Sequence, residues 1–535
     1  MLLSVLLCMG IAAGCLLAGR IFLHYFQLES YQFPGYFRTV RRNLLKSILP
    51  GICMMILLAV SSQLISLKLT DVSRQWYLYL AEIIILVTGG YFIGKAFSER
   101  KAKKAFVITP RVKRLYATSF IVLSLLLILL MIWVRNKEAR VAGALILIFP
   151  ALLPGLIALC GLLAWPLEKI ISELYFRDAQ RILKERGDLL RIGITGSWGK
   201  TSVKFILGTI LGEKYQTLVT PASYNTPMGV TKVIRSRLEP GHRIFIAEMG
   251  ARHVGDIKEM CRLVHPQIGI LTSVGPQHLD TFRTLDRIKK TKYELIDALP
   301  ADGKAFFADD DGICRELYDQ TEKQKYISGF DSSRDDVWAE EITYSPEGSS
   351  FLLCTTDGSI PCSTQLLGEL NIRNILLCAS VALNLGLTME QISRGIRKIN
   401  PIEHRLQLIR HPGGLNVIDD AFNSNIRGAR QAFDVLKQFP KQRIVVTPGM
   451  VELGERETEM NREFGQALAD CCDMVILVGK KRSEAIKRGL QEKGFPEKDI
   501  RIVSSLTEAT AILKEISGAG DTVLFENDLP DNYTE

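Results

Sequence analysis

Five long apolar stretches in the first 165 residues are the feature that most constrains the fold of this chain. Each has about 18–25 residues, enough for a helix that rises 1.5 Å per residue to cross ~30 Å of hydrocarbon. We therefore predict that residues 1–166 form an α-helical membrane region with five spans. The stretches are Leu2–Gly19, Ser47–Leu67, Trp76–Gly94, Leu115–Val134 and Val141–Trp165.

The charges between these stretches predict an orientation. Residues 20–46 and 95–114 carry five and eight Lys and Arg residues, whereas the loops 68–75 and 135–140 carry fewer. Because positive loops stay in the cytoplasm, we expect a multi-pass protein of the cell (inner) membrane with its N-terminus outside and its large C-terminal part inside. A cleaved signal peptide is the alternative for the first stretch, but no Lys or Arg precedes Arg20.

Glu82 is the one acidic residue inside an apolar stretch. A carboxyl group at membrane depth is a candidate for a functional role. The alternative, which we prefer from sequence alone, is that Glu82 lies one or two turns from the interface or is protonated.

Charge and cysteine content exclude several classes of protein. The net charge is +9, but residues 1–169 hold 19 basic and 6 acidic residues, so the remaining chain is slightly acidic. The basic excess thus lies among apolar segments, and we predict no nucleic-acid partner. Eleven cysteines without a C-x-x-C pair argue against a disulfide framework or a zinc site.

The remaining chain has three predicted parts. Apolar and charged residues interleave over residues 167–186, which predicts an amphipathic connector helix near the membrane surface. Strands and helices alternate over residues 187–400, with a β-rich excursion near Trp338–Leu367, which predicts an α/β domain with a parallel sheet. Five further strands over residues 401–535 predict a Rossmann-like C-terminal domain.

Residues 190–202, LRIGITGSWGKTS, have the form of a phosphate-binding loop. A short strand precedes the glycine turn and an apolar helix follows it. Gly196 and Gly199 would let backbone N–H groups approach phosphate, Lys200 supplies positive charge, and Thr201 supplies a hydroxyl for Mg²⁺. The general P-loop pattern would have glycine where Ile194 stands, so an ordinary glycine-rich turn before a helix is the alternative.

This loop resembles the ATP loop of the Mur ligases, and further motifs follow in the family's order over about residues 188–515. Within the family they look most like the D-alanyl-D-alanine-adding (MurF) type. The matching segments are Tyr224–Val230, Ile246–Ala251, Ser273–Asp280, Lys290–Glu294, Asn371–Asn374, His404–Leu406, Asp419–Asn425 and Gly449–Gly454.

The resemblance implies an ATP-dependent ligase that joins a carboxylate to an amine through an acyl phosphate. Thr201 and Glu248 would hold one Mg²⁺, for which oxygen ligands are suited, and His278 a second. Lys292 matches a lysine that the family carbamylates. The alternatives are a capping or core role for His278 and a solvated surface position for Lys292.

The resemblance also assigns contacts with nucleotide and substrate. The ATP-binding residues would be Gly196, Ser197, Gly199, Lys200, Thr201, Ser202, Asn374, Arg405, Asp420 and Asn423, and the catalytic residues Lys200, Lys292, His278, Glu248 and Arg405. Asn225, Thr226 and Glu452 would face the substrates. The Asx-rich turn at Asp419–Asp420 has alternative interpretations as a metal site or as a helix cap.

The chain also departs from the family. Trp198 replaces a common Asn, Asn461 a common His, and Phe525–Asp528 a lysine–serine segment; membrane stretches stand where the family has its UDP-sugar-binding domain. We therefore expect an acceptor that is lipid-linked or polymeric, from peptidoglycan or a related envelope polymer, and an amino acid or dipeptide as the amine. The alternatives are a poly-γ-glutamate-type synthase and a transport or regulatory ATPase.

Overall fold

The computed structural model describes residues 2–66, 75–98, 105–135, 139–221, 224–310, 312–421, 426–451, 453, 456–480 and 482–527. The chain forms two compact units, Met1–Glu173 and Leu174–Leu529. The first is helical and the second contains two α/β sheets. The predicted fold class, an α-helical membrane-type region followed by α/β domains, is confirmed in this form.

Eight helices account for most of the described residues in the N-terminal part of the chain. A 3₁₀ turn, Phe149–Leu152, joins the last two. The helices are α1 (Leu2–Ala18), α2 (Arg20–Leu28), α3 (Phe33–Arg42), α4 (Leu44–Ser66), α5 (Gln75–Phe97), α6 (Pro110–Arg135), α7 (Ala139–Ile148) and α8 (Leu153–Glu185).

Four stretches of helix are long and apolar enough to cross a membrane, within the residues that the structure describes. They are Leu44–Gln63, Trp76–Phe97, Pro110–Trp133 and Ala144–Glu185. A fifth results if α1 and α2, which meet at a bend of 49°, count as one span. The expected five spans therefore become four or five candidates.

Two predictions about this region differ from the structure. Residues 20–46, predicted as a loop from their charges, are largely the helices α2 and α3. Phe22 and Tyr25 are fully buried, and the free energy gained by burying them offsets the cost of placing the Arg20 charge in this helix. The connector at 167–186 is no separate helix but the second half of α8, which passes Pro166 without ending. A change from apolar to amphipathic pattern marks a change of surroundings and does not by itself break the backbone.

Helices α1 and α5 pack closely through glycine. A Cβ atom at Gly90 would collide with the backbone of Gly14, and one at Gly94 with the carbonyl oxygen of Leu17. Small residues allow this approach, which is common between membrane helices.

Nine strands form the first sheet of the second unit, in the order β2-β3-β1-β4-β5-β6-β7-β8-β9. The sheet is parallel from β2 to β7, and β8 and β9 extend it antiparallel, which is the predicted β-rich excursion. The strands are β1 (Leu190–Thr195), β2 (Thr217–Val219), β3 (Ile244–Glu248), β4 (Ile268–Leu271), β5 (Lys304–Ala308), β6 (Gln324–Gly329), β7 (Val337–Ser345), β8 (Gly348–Thr355) and β9 (Gly358–Thr364).

Helices cover both faces of this sheet. One buried cluster joins the sheet to α9, α15 and α16, and another joins its opposite face to α10, α11, α13 and α14. Burial on both faces explains the continuously apolar strands, which is typical of parallel sheets. The helices are α9 (Lys200–Leu211), α10 (Pro227–Arg237), α11 (Asp256–Val264), α12 (Leu279–Phe282), α13 (Leu285–Asp297), α14 (Ile313–Asp319), α15 (Glu369–Asn384) and α16 (Met389–Arg397).

Six strands form the second sheet, in the order β10-β11-β15-β12-β13-β14. Among the described strands of this sheet, β10 alone runs antiparallel, and its half-exposed sequence carries no strand signal. The five other strands were predicted. The elements are β10 (Gln407–Arg410), β11 (Asn416–Asp420), β12 (Arg443–Thr447), β13 (Met474–Val478), β14 (Ile500–Val503), β15 (Thr522–Glu526), α17 (Ile426–Leu436), α18 (Glu457–Ala469), α19 (Ser483–Glu492) and α20 (Leu506–Ile516).

Strand register brings three loops to one edge of the first sheet. β1 lies between β3 and β4, with Ile194 opposite Glu248 and Thr195 opposite Leu271. The glycine turn after β1, the carboxylate ending β3 and the loop after β4 therefore meet beyond the carboxyl ends of the strands, where open α/β sheets bind ligands.

Candidate functional site

The glycine turn between β1 and α9 depends on its two glycines. Gly199 has a φ of 81° and ends the turn directly before the helix. A Cβ atom at Gly196 would collide with the Thr272 hydroxyl, and one at Gly199 would lie 3.0 Å from Asn374 Oδ1. The turn is therefore a tight backbone cradle that a side chain would fill.

Side chains after β4 fix the turn in place. The Ser197 hydroxyl donates to the Gly275 carbonyl and accepts from its N–H, both at 3.0 Å. The Trp198 N–H donates to Ser273 Oγ at 2.8 Å. Ser197, predicted as a nucleotide contact, thus also holds the loop itself, and Ser202 is buried on α9.

Lys200 curls back over the turn. Its Nζ donates to the carbonyl oxygens of Gly196 at 2.7 Å and Ser197 at 3.0 Å. Burial lowers the pKa of Lys200 to about 8; Glu248 opposes this shift and the Arg405 cation adds to it. The ammonium group therefore lies at the mouth of the backbone cradle.

Glu248 is the centre of a polar cluster at the end of β3. Its carboxylate accepts from Thr201 Oγ1 at 3.1 and 3.2 Å and from Asn225 Nδ2 at 3.1 Å. The structure thus brings together the two residues predicted to share one Mg²⁺. Asn225 supports this carboxylate, and its expected contact with a substrate stays a prediction.

Lys204 is a member of this cluster that the sequence analysis missed. Its Nζ lies 2.9 Å from Glu248 Oε2, and the two side chains are 0% and 2% exposed. Burial acts to raise the pKa of Glu248, but the cations of Lys204 and Lys200 outweigh it and lower that pKa. The signal was available, since residues four apart on a helix share one face, as Lys200 and Lys204 do.

Lys292 lies on α13 and is 3% exposed, so its alternative interpretation as a solvated lysine is wrong. Burial, followed by the Lys200 cation, holds the pKa of Lys292 well below its ordinary value. The carboxylates of Asp256, Glu294 and Glu248 act in the opposite direction. Lys292 therefore belongs to the same electrostatic cluster as Lys200 and Glu248.

His278 directly precedes the short helix α12 with a left-handed backbone, φ 54°. Its carbonyl accepts from the N–H groups of Thr281 and Phe282, and its side chain is half-buried. Across the described part of the chain, no three His, Cys, Asp or Glu side chains converge in a metal-binding arrangement. Any Mg²⁺ here would complete its shell with water and phosphate oxygens, as that ion does at nucleotide sites.

Arg405 reaches this cluster from the segment that precedes the second sheet. Burial lowers the pKa of Arg405, whereas the carboxylates of Asp420 and Glu248 act to raise it. Its neighbours His404 and Leu406 both have positive φ, 58° and 47°. The side chain is thus held by a backbone conformation that is costly for residues other than glycine.

The two aspartates that end β11 have different surroundings. Asp420 Oδ1 accepts from the Leu406 N–H at 3.1 Å, and burial raises the pKa of Asp420 to about 6 against the effect of Arg405. Asp419 bonds His404 Nδ1 at 2.7 Å and the Ala421 N–H at 3.1 Å. Asp419 therefore stabilises the local turn, whereas Asp420 faces the arginine.

Comparison with known proteins identifies the family. A sequence model of the Mur ligase middle domain matches residues 194–382, and one of the Mur ligase glutamate ligase domain matches residues 404–526. Together they cover more than half of the chain. This chain belongs to the Mur ligase family. It is accordingly an ATP-dependent peptide ligase.

The relatives of this Mur ligase include MurF enzymes. UDP-N-acetylmuramoyl-tripeptide--D-alanyl-D-alanine ligase of Haemophilus influenzae is 28% identical over 340 residues, 61% of this chain and 73% of the relative. The enzyme of Bacillus subtilis is also 28% identical, over 65% of this chain and 75% of the relative. The resemblance to the MurF type is thereby confirmed.

Solved structures agree with this likeness. MurF from Acinetobacter baumannii superposes with a TM-score of 0.61 at 25% identity, over 68% of this chain and 78% of the other. MurF from Thermotoga maritima in complex with ADP gives a TM-score of 0.60 at 25% identity, over 67% and 80%.

The Mur ligase site has groups that suit a nucleotide. Asn374 is buried next to Gly199, and its Nδ2 has no hydrogen-bond partner within the described structure. A buried donor without a partner is costly and is expected where a ligand completes the bonding. Together with the backbone cradle, this donor fits the ATP that the family uses.

A cavity of about 290 Å³ adjoins the glycine turn in the Mur ligase. The Trp198 ring lies on its wall and packs against Gly275, where a Cβ atom would collide with the indole. The amide oxygen of Gln431, also on the wall, is buried without a partner in the described structure. The cavity thus has an aromatic residue on its wall, and a buried acceptor without a partner belongs to a lining residue.

The roles of three more residues, predicted to contact substrate or nucleotide, stay predictions. The Thr226 hydroxyl caps α10 by accepting from the Gly229 N–H at 3.3 Å. Asn423 and Glu452 lie outside the described residues. Asn461, where the family has His, is buried and hydrogen-bonds both the N–H and the carbonyl of Met450.

Proposed function

We propose that this Mur ligase joins an amine to a carboxylate of an envelope peptide, from a peptidoglycan precursor or a related polymer, while anchored in the membrane. The observation that carries this proposal is the cluster of Lys200, Thr201, Glu248, Lys292 and Arg405 around one backbone cradle. The candidate membrane spans, which precede the matched region, support an acceptor presented at a bilayer.

The proposed reaction has two steps. The acceptor carboxylate attacks the γ-phosphorus of ATP, and ADP leaves with the bonding electron pair. The amine then attacks the acyl carbon, phosphate leaves, and the amine loses a proton to give an amide. Lys200 and the amides of the turn would neutralise and orient the β- and γ-phosphates, and Arg405 would approach them from the other domain.

Thr201 and Glu248 are the residues that would hold Mg²⁺, whose bound charge offsets that of the phosphates. His278 is the proposed ligand of a second ion. Thr201 and Glu248 fit the first ion, because the Thr201 hydroxyl oxygen lies within hydrogen-bond distance of both Glu248 carboxylate oxygens. Lys204 neutralises the same carboxylate from the protein side.

The surroundings of Lys292 support its carbamylation. Carbamate formation needs a neutral amine, which attacks CO₂ and releases a proton, and burial of Lys292 favours its neutral form. The product is an anion close to the cation of Lys200. That anion would position the phosphate-binding groups but would not itself form or break a bond with the substrates.

The Trp198 cavity is the proposed place of the nucleobase. Bases stack on aromatic rings, and Trp198 is a lining residue of this cavity next to the glycine turn. Asp420 and Asn423 are proposed to contact ribose or phosphate. Glu452 is proposed to face the incoming amine.

The membrane placement is part of the proposal. We propose a multi-pass protein of the cell (inner) membrane, with the N-terminus outside and both Mur ligase domains in the cytoplasm, on the basis of the loop charges. Single cysteines introduced before residue 20 and after residue 187, in a variant lacking native thiols, would be labelled from opposite sides of sealed vesicles. Labelling of both from one side contradicts this topology.

A reconstitution experiment tests the ligase activity. The full-length protein in detergent is given ATP, Mg²⁺, a muramyl-tripeptide acceptor in UDP-linked or lipid-linked form, and D-alanyl-D-alanine. ADP, phosphate and an amide of the expected mass should appear together, and Lys200→Ala should lose all three. Lys214→Ala, at an exposed lysine after the same helix, is the matched control. ATP turnover that is independent of any amine would instead indicate transport.

A further inference from the structure

A cavity of about 480 Å³ lies inside the N-terminal unit. Five helices line it: the beginnings of α1 and α5, the ends of α4 and α6, and the end of α7. Much of the wall is apolar, from Leu7, Ile11, Leu58, Met131, Ile146 and Leu147. Its volume falls within the range of ~300–1,000 Å³ that is usual for small-molecule sites.

Glu82 projects to this cavity from the first turns of α5. It is 3% exposed, and Ser62 Oγ on α4 donates to its Oε1 at 3.0 Å. Tyr79, one turn earlier on the same face of α5, and Gln63 also line the cavity. The structure therefore gathers a buried carboxylate and several hydroxyl groups beside apolar side chains.

The described lining of the cavity contains an acidic residue and no basic one. No Lys, Arg or His belongs to the described lining, and no ion pair of Glu82 occurs within the described part of the chain. A carboxyl group at membrane depth is expensive and is retained chiefly where it has a function. Acceptors surrounding an apolar space complement a ligand that brings a cationic donor and an alkyl part.

We propose that this cavity binds a membrane amphiphile whose head group carries a primary ammonium, of the phosphatidylethanolamine kind. The three N–H groups of such a head match the Glu82 carboxylate and the neighbouring hydroxyl oxygens. The apolar wall takes part of an acyl chain, which the phosphate and glycerol of the lipid separate from the ammonium. The site lies wholly within the N-terminal unit and is independent of the ligase activity proposed above.

The test compares two lipids of equal chain length bound to the full-length protein in detergent, measured by native mass spectrometry. The probes are dilauroyl-phosphatidylethanolamine and dilauroyl-phosphatidylcholine, whose quaternary ammonium has no N–H donor. The parent protein should bind phosphatidylethanolamine with ~10-fold higher affinity than phosphatidylcholine, which is the effect expected of one charge-assisted hydrogen bond. Glu82→Gln should reduce this preference to less than twofold. Glu29→Gln, at a carboxylate that bonds Thr39 outside the cavity, should leave it unchanged.

A second variant covers the case in which Glu82→Gln does not fold. Ala59→Leu keeps the carboxylate but fills space on the cavity wall, and should weaken binding of phosphatidylethanolamine by ~10-fold or more. Equal binding of both lipids by the parent overturns the proposal. So does a preference that survives Glu82→Gln, or an Ala59→Leu variant that binds phosphatidylethanolamine as the parent does.

Discussion

Replacing Lys204 by methionine tests the electrostatic basis of the site. Methionine keeps the length and apolar character of the side chain but removes the cation that lies 2.9 Å from Glu248. Both side chains are almost fully buried, so water cannot take over the role of the ammonium group. The Glu248 carboxylate would keep the neutral donors of Thr201 and Asn225. It would also keep the more distant charges of Lys200 and Arg405.

The expected loss of stability is large. Removing one partner of a buried ion pair costs ~3–5 kcal/mol, because an uncompensated charge remains. At ~2 °C per kcal/mol for a large domain, the unfolding temperature should fall by ~6–10 °C. Lys398→Met is the matched control, since this lysine pairs with Glu213 at 2.6 Å but is 65% exposed, and an exposed pair contributes only ~0–1 kcal/mol.

Thermal unfolding of the full-length protein in detergent, with and without Mg²⁺ and ADP, measures the effect. If Glu248 is a metal ligand, the bound cation replaces the lost ammonium. Mg²⁺ with ADP should therefore raise the unfolding temperature of Lys204→Met by more than that of the parent. An unchanged unfolding temperature in Lys204→Met contradicts the buried pair, and equal stabilisation by Mg²⁺ contradicts the role of Glu248 as a ligand.

Three further outcomes are expected. Lys200 has a pKa of about 8 in the folded protein, so its cation is lost as pH rises through that value. The affinity for ADP, measured by calorimetry, should therefore fall between pH 7 and pH 9. This fall should vanish in Lys200→Arg, because its guanidinium stays protonated. Lys292→Ala should lose ADP release, which high bicarbonate or a small carboxylic acid should partly restore, and activity equal to the parent would refute a carbamate. Trp198→Asn should weaken ADP binding by ~5- to 100-fold through loss of stacking, whereas Trp198→Phe should retain most of the affinity.

Much of the site was predictable from local sequence. Strand, glycine turn and Lys-Thr form one continuous segment, and Glu248 is the last residue of an apolar strand. Because parallel strands end at the same edge of a sheet, segments that are distant in sequence could be placed together without knowledge of any contact. The family resemblance added Lys292 and Arg405, whose burial and electrostatic contacts no local pattern reveals.

The errors have physical reasons as well. Lys204 was overlooked because a lysine on an apolar helix is normally solvated, and its partner lies 44 residues away. The positive charge of residues 20–46 predicts a loop, whereas the burial of aromatic side chains such as Phe22 and Tyr25 stabilises helices there. The last apolar stretch is interrupted by the 3₁₀ turn Phe149–Leu152, next to prolines at positions 150 and 154. Prolines indicate such an interruption, but an average of hydropathy over the stretch does not detect it.

The paired left-handed residues around Arg405 link nucleotide capture to the shape of the joint between the two Mur ligase domains. Each of His404 and Leu406 costs ~1–2 kcal/mol in this conformation. If this segment relaxed to ordinary backbone angles, the Arg405 guanidinium would move away from Lys200 and Glu248. Nucleotide binding and the backbone conformation of this segment are therefore expected to be coupled. A substitution such as His404→Gly, which removes the backbone penalty of this residue together with its bond to Asp419, would thus change ATP affinity from outside the ATP contacts.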